Sequence, residues 1–127
     1  MSEILFVGHI GKLIKVAGGV KNTHSKYGDR RMEIMADCLP GTLDEQVRNE
    51  WTDRILDCNT TEEALEYLKS WGICDQVMHT AVSRMQHYMK QWAGGNCDVQ
   101  VVTFSTVYGI LGKTSDSDRM IERWRQS

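Results

Sequence analysis

No stretch of this sequence approaches the roughly 20 consecutive apolar residues of a membrane-spanning helix. The opening MSEILFVGHIGKLIK places an acid ahead of its first apolar run and has no small-residue cleavage site, which argues against a secretory leader. A cytoplasmic location without a membrane partner is therefore expected. CxxC is missing as well. Cys38, Cys58, Cys74 and Cys97 lie far apart, without zinc or redox spacing, and read as reduced, mostly buried thiols. Histidine occurs only four times, and no two sit at the i, i+4 spacing of a helical metal pair. His79 and His87 stand about 80° apart around a helix and about 12 Å along it. No metal and no cofactor are expected. Ser83 with His87, and Asp75 with His79, do share i, i+4 spacing. A triad also needs an oxyanion hole and a strained nucleophile, so both pairs read as solvated helix pairs. Internal repeats, low-complexity tracts and linkers are absent. With 41% hydrophobic and 25% charged residues, 127 residues imply a single domain, 1–127, with its own core.

What is present is a patterned α+β chain. Ile4-Leu5-Phe6-Val7 is apolar on both parities, as in a strand covered on both faces. Gly8 and Gly11 suggest a bulge or turn, after which Lys12–Val16 reads as the second half of a bent strand or a new strand. Ala17-Gly18-Gly19 marks a turn, and the segment up to Pro40-Gly41 reads either as a strand alternating Met32, Ile34, Ala36 and Cys38 or as one short helix, with the strand preferred. Thr42 with Glu45 and Thr60 with Glu63 form two capping boxes. Leu43, Val47, Trp51 and Ile55 then recur as a helical stripe, followed by Ala64, Leu65, Leu68 and Trp71 up to Gly72. A third helix runs from about Asp75 to Trp92, with Met78, Ala81, Val82, Met85 and Met89 inward. The four tryptophans read as core anchors, with one or two at a rim as an interface option. A late strand over about 98–108 precedes a short C-terminal helix beginning near Ser115. The expected architecture is a small sheet of N-terminal strands plus that late strand, covered by three central helices.

Two segments carry candidate chemistry. Gly109-Ile110-Leu111-Gly112-Lys113-Thr114, between strand and helix, resembles the end of a phosphate-binding loop, but Val107 stands where its first glycine belongs. Gly8-His9-Ile10-Gly11-Lys12 repeats the pattern. If the strands are neighbours, Lys12 and Lys113 could converge on one anion, with Gly8, Gly11, Gly109, Gly112 and Thr114 forming the turns. The stronger signal is charge. Residues 1–32 carry six cations against two carboxylates, while residues 33–77 carry eleven carboxylates against three cations. Lys12, Lys15, Lys21, Lys26, Arg30 and Arg31, with Tyr27 for stacking, suit a nucleic-acid backbone first and an acidic protein surface second. The pieces VGHIGK and DRRMEIMADC resemble the first strands of single-stranded-DNA-binding OB barrels, without their aromatic pattern. The helical remainder does not continue the likeness, and no family follows.

The expected function is therefore a non-enzymatic binding or regulatory protein, with a homo-oligomer as an option. One alternative is a small enzyme on a nucleotide or phosphorylated metabolite at the two glycine turns. Another is a protein–protein inhibitor or adaptor of viral or mobile-element type, using acidic helices over 42–71.

Overall fold

A computed structural model describes residues 2–20 and 30–126. The elements run β1 (Ser2–His9), α1 (Ile10–Ala17), α2 (Arg31–Asp37), α3 (Glu45–Leu56), α4 (Thr61–Ser70), α5 (Cys74–Trp92), β2 (Cys97–Ser105), β3 (Gly109–Lys113) and α6 (Ser117–Gln126). The α+β expectation matches this arrangement. The sheet is mixed, in the order β1-β2-β3. β1 and β2 are parallel, with Ile4 opposite Val99 and Phe6 opposite Val101. A parallel pair needs a long crossover, and here helices α1 to α5 provide it. β2 and β3 form an antiparallel hairpin, irregular between Thr103 and Phe104.

β2 is the central strand, and Val99, Gln100, Val101, Val102 and Thr103 are all buried. α5 backs one face of the sheet. Gln86 donates to the Val99 carbonyl at 2.8 Å. A methyl on Gly112 would stand 3.2 Å from Met78 Cβ and 3.3 Å from its carbonyl, so the glycine permits close strand–helix approach. α6 covers the opposite face, where Arg123 reaches Glu3 and Asp98 at the start of β1 and β2. The core joins Ile10 and Ile14 of α1, Ile34 and Met35 of α2, Leu65 and Leu68 of α4, and Met78 and Met85 of α5.

The three central helices follow their sequence pattern. Thr60 caps α4 by accepting from the Glu63 amide at 3.1 Å, and Gly72 takes φ +75 just beyond its end. α3 begins two residues later than its capping box implies. Leu43 is held in a turn by the Pro40 carbonyl, and Asp44 supplies the cap to the Gln46 amide at 3.1 Å. Cys38, Cys58 and Cys74 are buried free thiols, as expected. No tryptophan joins the buried core; Trp51 and Trp71 instead stack at 4.4 Å on its flank.

Three expectations fail. The segment after Gly8 is helix, because Ile10, Ile14 and Ala17 bury one α1 stripe at i, i+4, i+7. Residues 31–37 are helix as well. Glu33 and Asp37 share its exposed side while Ile34, Met35 and Ala36 are buried, a helical and not an alternating distribution. Among the described residues there is therefore no OB-like run of N-terminal strands. Finally, Gly109–Lys113 is a strand of its own and not a strand-to-helix turn, and the late β segment is a hairpin.

Candidate functional site

The two N-terminal glycines sit where β1 hands over to α1. Ligands of parallel sheets gather at this carboxyl end of the strands, where backbone amides open a helix. His9 closes the strand and caps the helix, its Nδ1 accepting the Gly11 N–H at 3.0 Å. A ring nitrogen that accepts carries no proton, so the proton resides on Nε2, which faces Glu62 Oε1 at 3.3 Å. This is a neutral imidazole donating to a carboxylate. Both ring nitrogens are occupied, which makes His9 a positioning residue that ties the start of α1 to the start of α4. Thr61, buried, donates to the other Glu62 oxygen at 3.2 Å. Gly11 allows the approach, since a methyl there would meet His9 Nδ1 at 3.1 Å and Thr61 Oγ1 at 3.4 Å.

A cavity of about 480 Å3 opens beside this junction, lined by Lys12 and Lys15 of α1, Arg31 of α2 and the first turn of α4. Three of the six cations singled out from the sequence therefore share one cleft. Lys12 is exposed and makes no hydrogen bond or ion pair within the described residues. Its ammonium is available to a ligand. Glu62, the one carboxylate among the described residues that line the cleft, is already engaged by His9 and Thr61. The arrangement suits an anionic group held by cations on two rigid helices.

The other candidates are dispersed. Arg30 lines a different cavity and reaches Glu33 at 3.2 Å. Lys21, Lys26 and Tyr27 lie outside the described residues. Lys113 is paired with Asp118 at 2.8 Å and does not join Lys12. Thr114 is buried in the sheet: its hydroxyl donates to Gln100 Oε1 at 2.5 Å and accepts the Val101 N–H at 2.9 Å. Gly109 turns the hairpin at φ +75, and Gly112 packs on α5. Among the described residues no three His, Cys, Asp or Glu side chains gather as metal ligands, and no helix is long and apolar enough to cross a membrane. Sequence reasoning missed His9, Thr61 and Glu62. The signal was the i, i+4, i+7 stripe starting at Ile10, which turns Gly8–Lys12 into a strand-to-helix junction.

The match that decides the family covers residues 22–115 and is to the model of the CbiD C-terminal domain. The chain belongs to the CbiD C-terminal domain family. Three proteins named cobalt-precorrin-5B C(1)-methyltransferase are each 36% identical to it. The one from Alkaliphilus metalliredigens aligns over 96% of this chain and 31% of its own length. Those from Listeria monocytogenes serotype 4a and Fusobacterium nucleatum align over 97% and 94% of this chain, and over 33% and 30% of their own lengths. This CbiD-type chain thus spans about a third of the length of the curated relatives it matches. No solved structure matches it.

Membership of the CbiD family corrects the functional expectation. The relatives are methyltransferases named for a cobalt-precorrin, so nucleic acid or an acidic protein as partner, a regulatory role and a viral accessory role are all set aside. The physical reason for the misreading is that net charge does not report shape. Lys12, Lys15 and Arg31 line a cleft between α1, α2 and the first turn of α4.

Proposed function

We propose that this chain serves as the C-terminal domain of a cobalt-precorrin-5B C(1)-methyltransferase, and that the cleft at the β1–α1 junction holds a carboxylate edge of the macrocyclic substrate. The observation that carries the reading is 36% identity, over nearly the whole chain, to enzymes of that name. A cobalt-precorrin is a tetrapyrrole-derived ring fringed with carboxylate side chains, and its cobalt arrives with it as substrate. Such a ligand needs fixed cations at its rim. Lys12, Lys15 and Arg31 supply them from α1 and α2, while the His9–Glu62 hydrogen bond fixes the helix starts around them.

Methylation at a ring carbon forms a carbon–carbon bond as the methyl group leaves an electrophilic donor. Its rate depends on holding the ring carbon in line with that methyl. Anchoring the carboxylate edge through two helices restricts the ring's rotation, and this is the part of the chemistry assigned to the domain. Such a biosynthetic role goes with a cytoplasmic location. Titrating uroporphyrin, an octacarboxylate tetrapyrrole, into the 127-residue chain tests the assignment by absorbance. Loss of one charge-assisted hydrogen bond costs about 1.5 kcal/mol, so Lys12→Ala should bind about tenfold more weakly. No binding at millimolar concentration, or equal binding by the variant, would refute it.

A further inference from the structure

A second cavity, of about 490 Å3, lies between α5, α2 and the end of α1. Its wall on α5 is formed by His79, Ser83 and His87, spaced i, i+4, i+8, with Thr80 and Arg84 beside them. The sequence offers these as solvated helix pairs, and the first cleft does not use them. Across the cavity stand Arg30, Ile34 and Asp37.

Arg84 decides what this cavity can take. Its guanidinium carries five donors, yet its hydrogen-bond partner among the described residues is the Cys38 thiol at 3.9 Å, a weak acceptor. Among the described residues no carboxylate pairs with it. Asp37 adds one negative charge, and Arg30 is partly engaged by Glu33 at 3.2 Å, so the fork of Arg84, held only by a thiol among the described residues, sets the preference. Ser83 and Thr80 offer hydroxyls, and the two imidazoles offer further polar contacts. Ile34 and Ala17 give one apolar wall, and Tyr88 closes the side against Gly19. A planar anion with hydrogen-bonding capacity on both oxygens fits a guanidinium fork flanked by hydroxyls. The volume is that of a small-molecule site.

We propose that this α5–α2 cavity is a second carboxylate-binding subsite, centred on Arg84 and separate from the Lys12 cleft. Consecutive residues Arg30 and Arg31 line the two cavities, so they adjoin across the start of α2. The carboxylate could belong to the far edge of the same macrocycle or to a separate small acid. Only the first of these sources rests on the methyltransferase reading.

The test is an amide-resolved NMR titration of the full chain with citrate, then with uroporphyrin. Citrate should saturably shift the amides around Ser83, Arg84 and His87. Arg84→Ala should weaken that response about tenfold, and Arg84→Lys, which keeps the charge and loses the fork, should weaken it too. Lys12→Ala should leave it unchanged. Absence of a saturable citrate shift at these amides, or an identical response in Arg84→Ala, overturns the subsite. A merely structural role for Arg84 would show as a lowered melting temperature with citrate binding intact, and this also overturns it. If uroporphyrin shifts the same amides, and both Arg84→Ala and Lys12→Ala weaken its binding, the carboxylate comes from the macrocycle. If only citrate acts there, it comes from a separate acid. Failure of uroporphyrin alone would sink the Lys12 assignment and leave the subsite standing.

Discussion

Thr114 offers the sharpest perturbation, because sequence and structure give it opposite roles. In a phosphate-binding turn its hydroxyl would face ligand. In the fold it is buried and bridges β2, donating to Gln100 Oε1 at 2.5 Å while accepting the Val101 N–H at 2.9 Å. Thr114→Val keeps the volume and removes both bonds. The Val101 amide and the Gln100 oxygen are then left unpaired in a buried sheet, at about 1–3 kcal/mol each. Gln100 retains its bond from Nε2 to Asp98 at 2.8 Å and can relax, so the total should be about 2–4 kcal/mol. For a domain of this size that corresponds to a melting temperature lower by about 8–15 °C. Thr114→Ser keeps the hydroxyl and should lose about 1 kcal/mol for the missing methyl. Thermal and urea unfolding followed by circular dichroism measure both. A valine variant as stable as the parent would refute the buried-bridge account and return Thr114 to the surface.

Other predictions concern the second sheet face and the thiols. Glu3 is held below the usual carboxylate range, first by the hydrogen bond from Arg123, then by that from Trp124, against a smaller desolvation effect. A depressed folded value stabilises the fold above the ordinary carboxylate range, and the effect is lost as pH falls through the folded value. Arg123→Gln should therefore lower the melting temperature at pH 7, and the gap to the parent should close towards pH 3; a gap independent of pH would contradict the pairing. Burial pushes the Cys38, Cys58 and Cys74 thiols up. Iodoacetamide at pH 8 should accordingly label half-exposed Cys97 first in the native protein, as peptide mass analysis would show.

Much of the helical layer was legible because its cues are redundant. Thr60, Glu63 and Gly72 mark the limits of α4, and the methionines of α5 keep helical spacing over its whole length. Two short helices were not. In Lys12–Val16 the β-branched residues favour a strand locally, and the deciding stripe becomes visible only if Ile10 is counted across Gly11. Around Met32–Cys38 alternation and helical periodicity coincide over too few residues to separate. Gly109–Lys113 reads as a loop because of its glycines, yet Gly112 is required for approach to Met78 and Gly109 for the hairpin. The site was half legible. Lys12, Lys15 and Arg31 stand out as charge, but their convergence depends on helices that sequence patterning misassigned. Glu62 looks like an ordinary first-turn carboxylate, and only the fold brings it to His9.

The proposed role of the β1–α1 cleft is to anchor the substrate of a cobalt-precorrin methyltransferase. Its most direct test replaces the matching third of the Alkaliphilus metalliredigens enzyme with this chain and measures methyl transfer to cobalt-precorrin-5B. The expected result is an active hybrid whose KM rises about tenfold with Lys12→Ala while kcat changes little, the signature of lost binding. A folded but inactive hybrid, or one indifferent to Lys12, would contradict it.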